Sequence, residues 1–451
     1  MKISQNKPFQ LVSVRGYESK SDCGYQNKSS CDVQDTNVYG GSRFIKLCRL
    51  SIVSAGLVTL FGCFGGDTVK QSIEDYAERL SRVLDTPLPD TFNDKITTPL
   101  PKLADSATLK HTIEGVSINL REFYALQDCE LGTVVAERNT SLGKSQLPSQ
   151  RLAYESKLLS VLKRCEAALV ASDRVSDSES ADKNALKKNK ALAETIASWR
   201  EQKSQDYSKT WANLIQGSQE LRLALNTPER LFSVENNKDA LSSVNALFYL
   251  SSLNNMSFSY GETSPKQSTK SVTSNQNRVG DASEGDKSSA SGKVIDKSPI
   301  DIEESLIDSS ELEQQLQIIR SARLPATLWH TQQTLAQNLS LLTDMLTTKL
   351  DAVSCPEGRA SDKAKILRNV FYLFFIEEIQ PVGSLVNQYH YKLAPLWGDW
   401  LKQPSLHEEF KRYIRLQSQD GFDEYSRAMK AHVNLWQGFL GRCNLSPLPP
   451  V

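Results

Sequence analysis

From Thr68 onward apolar residues recur every three or four positions, and strict apolar-polar alternation is rare, the period of helices packed on a common core. The first predicted helix spans Thr68 to Leu84, with a Thr68/Gln71 capping box and Ile73, Ala77, Leu80 and Leu84 on one face. After a loop broken by Pro87, Pro89, Pro99 and Pro101, the pattern predicts helices over 106–128, over 129–142 with Gly143 as the stop, and from Pro148 with Leu152, Leu159, Leu162 and Leu169 inward. Residues 173–190 are charged and serine-rich and read as a solvated connection or frayed helix. The period resumes from Tyr207 to Leu225, and Thr227-Pro228-Glu229 reads as a further helix start. Residues 261–299 have almost no apolar side chains and cannot offset their ordering entropy.

Beyond that gap, Ser310 with Glu313 opens a helix that Pro325 breaks, and a longer one carries Leu328, Leu335, Leu339, Leu342 and Leu346. Phe371 to Ile376 is apolar on every side, which predicts a central core helix ended or kinked at Pro381. Helices from Ser405 and over 420–442 complete the chain. The expected class is all-α, a multi-helix bundle with a disordered insert over 256–307. That insert separates an N-terminal helical half, 63–255, from a C-terminal one, 308–451. The two halves are expected to share one core, because a long loop adds little closure entropy.

A different pattern precedes the bundle. Arg43, Lys46 and Arg49 form a basic cluster ahead of an apolar run from Leu50 to Gly62. Thirteen residues reach roughly 20 Å as a helix, short of the roughly 30 Å hydrocarbon core but normal for a secretory leader. Leu60-Phe61-Gly62-Cys63 matches the bacterial lipobox, with Phe61 bulkier than usual at its position. Residues 43–62 are therefore expected to be a lipoprotein signal peptide, and Cys63 the lipidated first residue of the mature protein. One acyl chain anchors marginally, and three make release negligible. Phe64, in place of Asp, points to the outer membrane. Residues 1–42 are polar and aperiodic, and read as disordered or as a mis-assigned start, with Val38 an alternative initiation site.

Of 53 basic and 53 acidic residues, eight and four fall in the first 62, leaving 45 against 49 and a formal charge of −4 over 389 residues. No basic face dominates, which argues against a nucleic-acid partner. Besides Cys63, the mature chain keeps Cys129, Cys165, Cys355 and Cys443. Export favours disulfides over buried thiols. Of the three pairings, Cys129–Cys165 with Cys355–Cys443 keeps each bridge within one half.

Candidate chemistry is sparse. Gly143-Lys144-Ser145 lacks the earlier glycine and the preceding strand of a phosphate loop, since Arg138 stands where that glycine is required. The five histidines show no metalloprotease spacing, no nucleophile elbow occurs, and neither a metal nor another cofactor is implied. The densest polar cluster is Glu137, Arg138 and Asn139 with Gln150, Tyr154 and Glu155 across the turn; it is suited to a carboxylate or sugar, or to capping the chain around Gly143. Tyr389, Tyr391, Trp397 and Trp400 beside Pro395 suit a ligand groove or a packed helix corner.

Glu-Arg-Asn-x-x-Leu-Gly at 137–143, Pro-Ser-Gln-Arg-Leu-x-Tyr-Glu at 148–155 and Tyr-Ala-Glu-Arg-Leu-Ser-Arg-Val-Leu-Asp at 76–85, with the flanking Cys129 and Cys165, resemble an uncharacterised lipoprotein family of gammaproteobacteria, domain of unknown function 3080. The resemblance implies a helical, lipid-anchored envelope protein and no catalytic activity. The expectation is a non-enzymatic interaction or structural protein at the periplasmic face of the outer membrane, its partners the membrane and an unidentified envelope protein or ligand. An envelope enzyme acting on glycan or lipid, or a small-molecule binding protein, is the alternative.

Overall fold

The computed structural model describes residues 2–3, 68–89, 92, 97–126, 129–175, 183–235, 237–255 and 306–445. The segment 1–42 apart from Lys2–Ile3, the leader over 43–62, Cys63, and the expected insert apart from Leu306 and Ile307 lie outside these residues. The class is all-α. The helices are α1 Thr68–Leu84, α2 Leu120–Ala125, α3 Leu131–Asn139, α4 Ser141–Lys144, α5 Pro148–Val175, α6 Lys183–Gly217, α7 Gln219–Asn226, α8 Ala240–Ser252, α9 Ser309–Ala322, α10 Leu324–Asp351, α11 Asp362–Val370, α12 Gln380–Lys402, α13 Glu408–Arg415 and α14 Gly421–Arg442. A two-residue parallel pairing, Lys2–Ile3 against Ser117–Ile118, is the strand structure among the described residues.

One large apolar core draws on both sides of the 256–305 gap: Tyr76, Trp211 and Leu247 share it with Trp329, Phe375 and Trp436. A smaller core forms where α3, α5 and α6 meet, around Leu131, Val135, Leu158, Leu162, Ile196 and Trp199.

The large core has a polar knot at its centre. Trp436 Nε1, which can only donate, gives its proton to His432 Nε2 at 3.2 Å, and the Tyr76 hydroxyl donates to the same nitrogen at 2.9 Å. The ring must therefore carry its proton on Nδ1. That N–H reaches Thr343 Oγ1 at 2.9 Å, and Thr343 passes its own proton to the Leu339 carbonyl at 2.6 Å. Fully buried, His432 is thus satisfied as a neutral ring, and the knot ties α1, α10 and α14 together.

Several segments depart from the helical expectation. Instead of a helix over 106–128, one turn at Ser106–Leu109 is followed by extended chain up to α2. Side-chain amides replace the missing helical bonds. Asn213 accepts from the His111 N–H at 2.7 Å and donates to its carbonyl at 3.0 Å; Gln216 donates to the Leu109 carbonyl; Asn226 donates to the Pro101 carbonyl at 2.8 Å. β-Branched Thr112, Ile113 and Val116 around Gly115 also weaken helix there. Of the region 173–190, residues 173–175 end α5 and 183–190 begin α6, and 176–182 lie outside the described residues. The stretch expected as one helix over 207–225 is split at Ser218, whose side chain caps α7 by accepting from Leu221 N–H. Thr227-Pro228-Glu229 starts no helix, because Arg323 pairs with Glu229 at 3.1 Å and Thr331 Oγ1 takes the Phe232 N–H at 2.7 Å, holding this chain open.

Two expected caps move. Asp308, not Ser310, caps α9 by accepting from the Ser310 and Glu311 N–H groups, and His407, not Ser405, caps α13 by accepting from Glu409 N–H at 3.3 Å. Residues 420–442 do not start afresh either: α13 runs through a π-helical stretch, Leu416–Asp420, into α14.

The expected central core helix is a π-helix, Phe371–Ile379, joining α11 to α12. The Gln380 N–H bonds five residues back to the Phe375 carbonyl, and Pro381 has no N–H to continue the ladder. Widening sets buried residues four apart, at Phe371, Phe375 and Ile379, while Leu373 is 42% exposed. The helix is therefore half-buried, not central.

Burial holds the His432 pKa down to about 3 against an ordinary 6.5. Between these values the unfolded chain binds a proton that the folded chain refuses, so the His432 contribution is intact above pH 6.5 and is lost as pH falls toward 3. The expected slope is up to roughly 1.4 kcal/mol per pH unit. Urea unfolding across this window should show it, and His432→Gln, weaker at neutral pH, should show a shallower slope than the wild type.

Candidate functional site

The polar cluster expected around the 137–155 turn is built by three short-range devices. Thr140 caps α4 by accepting from Gly143 N–H at 3.0 Å, Arg138 donates to the Gly143 carbonyl, and Asn139 donates to the Val135 carbonyl at 3.0 Å. Gly143 is no helix stop. It lies within α4, folded back so closely that a Cβ would overlap the Glu137 and Arg138 carbonyls. Burial lowers the Arg138 pKa from its ordinary value, and the nearby Arg151 charge adds to this.

The cluster then divides: Gln150 and Tyr154 of α5 meet Glu137 of α3, and Glu155 of α5 turns away from them. Glu137, Gln150 and Tyr154 line an open groove of about 550 Å³ with Leu142, Gln146 and Leu306. Glu137 is half exposed and pairs with Lys157 at 3.5 Å, a contact worth little. Gln150 accepts from the Leu147 N–H at 3.1 Å. The Tyr154 hydroxyl and Gln146 Oε1 are buried without a partner. Burial, reinforced by the Glu155 carboxylate, raises the Tyr154 pKa.

Glu155 faces the other way. Only 2% exposed, it holds Arg151 from its own helix and Lys203 from α6, the latter at 3.3 Å with both groups buried. The two lie between α5 and α6, where a charge without a partner is expensive. Lys203 escapes the sequence reading because 173–190 looks like a break before the period resumes at Tyr207. Its signal is nonetheless present: Leu192, Ile196, Trp199, Lys203 and Tyr207 keep one helical register, and a lysine within an apolar stripe needs a buried acid.

The aromatic group forms no groove. Pro395 sits inside continuous α12, so there is no corner. Tyr389 packs edge-on to Phe232 at 5.3 Å, Trp397 on Trp329 at 5.4 Å, and Trp400 Nε1 donates to Ser251 Oγ at 3.2 Å. Tyr391 points outward, 66% exposed, toward Phe422. Beside it, burial lowers the His390 pKa to about 4, against the raising effect of Asp423.

Cys129–Cys165 joins the turn before α3 to α5, and Cys355–Cys443 joins the loop after α10 to the end of α14; their Cα atoms lie 5.9 and 5.2 Å apart. Beside the second bridge, Arg442 donates to the Leu350 and Val353 carbonyls at 2.7 and 3.0 Å, closing the end of α10. Among the described residues there is no cluster of three or more metal-ligating acids, histidines or cysteines, and no helix long and apolar enough to cross a membrane.

A family model described as a protein of unknown function, DUF3080, matches residues 73–287 and 287–447. The chain belongs to the DUF3080 family. Comparison with curated proteins and with solved structures gave no match. The DUF3080 match takes in the smaller core, the larger one from Ile73 onward, both bridges and the whole 137–155 turn.

Glu155→Ala should cost about 3–5 kcal/mol by stranding the buried Lys203 charge, whereas Lys203→Met, which leaves Glu155 with Arg151, should cost far less. Gly143→Ala should cost about 1–3 kcal/mol through overpacking. Chemical unfolding of the three variants checks both expectations.

Proposed function

We propose that the chain is exported, cut before Cys63 and lipidated there, leaving a helical body tethered at the periplasmic face of the cell envelope, with the outer membrane indicated by Phe64. The body acts as a non-enzymatic interaction or structural protein whose partners are the membrane and an envelope component. The observation that carries this reading is the pair of bridges, Cys129–Cys165 and Cys355–Cys443. Bridges of this kind persist in oxidising compartments and are rare where cytosolic thiols are kept reduced. The basic cluster, apolar run and lipobox at 43–63 supply the matching address. A second reading, binding of a small polar ligand or glycan, is favoured by the two unpartnered polar atoms at the Glu137 groove, Tyr154 Oη and Gln146 Oε1.

Protein taken from cells with free thiols blocked should show both bridges by mass spectrometry, and an acylated terminus beginning at Cys63. Cys63→Ala should move the body out of the membrane fraction without changing its unfolding midpoint. Reduced thiols on an uncut chain in the cytosol would contradict the proposal.

A further inference from the structure

If Cys63 carries the lipid, the face of the body nearest the bilayer is fixed by chain length. Four residues separate Cys63 from Thr68 at the start of α1, and the five chain steps between them span at most roughly 18 Å when fully extended. Whatever surrounds Thr68 therefore lies close to the membrane surface. Two adjoining hollows occur there. One, of about 320 Å³, brings Thr68 and Val69 together with Val234 and Pro381, and its rim carries the exposed acids Glu235, Glu377 and Glu378. The other, of about 460 Å³, shares Val234 and Pro381 and runs from Ile376 on the π-helix to Leu385 on α12.

Of the apolar side chains here, Val234 is 51% exposed and Pro381 is half-buried, while Ile376 and Leu385, also half-buried, rest against the core and keep part of their surface at the face. On the π-helix Ile376 is half-buried at the edge of the core, while Phe375 and Ile379 lie within it. Pro381 presents an apolar ring and has no N–H to leave unsatisfied. A soluble face would more often be polar, and grouped apolar residues mark a contact surface.

We infer that the strip Val234–Ile376–Pro381–Leu385 is the face on which the tethered body rests on the bilayer, its three carboxylates meeting the ammonium head groups of zwitterionic lipid. This deepens the lipid-anchor reading and depends on it. The acyl chains supply the affinity, and the strip supplies orientation by a shallow interfacial contact. The carboxylate rim disfavours a surface rich in anionic lipid, which would repel it.

The test uses the full acylated protein in phosphatidylethanolamine-rich vesicles that carry a lipid-borne nitroxide quencher. A fluorophore is placed either at Ser384→Cys, exposed between the two ends of the strip, or at Arg82→Cys. Arg82 lies 14 residues along α1 from Thr68, roughly 21 Å away. The expected result is several-fold stronger quenching at 384 than at 82, reduced by Val234→Asp with Leu385→Asp and reduced again when phosphatidylglycerol replaces half the lipid. Equal quenching at both sites, with acylation of Cys63 confirmed by mass, would overturn the strip as the resting face while leaving the anchor standing. An unacylated terminus would overturn both.

Discussion

The structure depends on one buried hydrogen-bond relay. His432 has no water to turn to, so its two nitrogens must be matched from within, and Tyr76, Trp436 and Thr343 match them. Tyr76 belongs to the first helix and the others to the last third of the chain, separated by 356 residues in the Tyr76–His432 case. An apolar contact tolerates sliding, whereas a ring nitrogen that loses its donor is left unpaired at full desolvation cost. The relay therefore sets the register of α1 against α10 and α14. Phe375 and Trp436 then pack around it, with the Phe371 ring stacked 4.7 Å from Trp436.

The same logic, a polar group that must be answered inside, recurs wherever the chain leaves helical geometry. Asn213, Gln216 and Asn226 answer the open backbone of 101–111, and Lys203 and Glu155 answer each other between α5 and α6. These contacts explain what was legible in the sequence. Apolar spacing reports the inward face of a helix whose own backbone is self-satisfied, so α1, α5, α10 and the end of α14 follow from it directly. It does not report a segment whose backbone partners are side chains a hundred residues away, which is why 106–128 reads as one helix yet is extended between Leu109 and Leu120. Local cap chemistry has a similar limit. Ser310, Ser405 and Thr227 all carry suitable side chains, yet Asp308 caps α9 from two residues upstream, His407 caps α13 with its own N–H held by Gln216, and Thr227 begins nothing because Arg323 and Thr331 hold the chain beyond it.

The polar cluster shows how far spacing alone carries toward a site. Sequence proximity groups Glu137, Arg138, Asn139, Gln150, Tyr154 and Glu155, but a helix sends neighbours to different faces. Gln150 and Tyr154 share the groove with Glu137, whereas Glu155 joins the α5–α6 interior and Arg138 is spent holding the Gly143 carbonyl. The aromatic group disperses for the same reason, since Tyr389 and Tyr391 are two apart on α12 and face core and solvent respectively. With Cys129–Cys165 inside the first half and Cys355–Cys443 inside the second, no covalent bridge between these cysteines spans the 256–305 gap. The union of the halves is left to the relay and the apolar core around it.

That union can be measured directly. A protease site inserted between residues 256 and 305 allows the purified, oxidised protein to be cut into two fragments that no described disulfide joins. The fragments should stay together on gel filtration and unfold in a single cooperative transition, and His432→Gln should weaken their association. Separation of the fragments into two independently folded bodies, each with its own transition, would contradict that union.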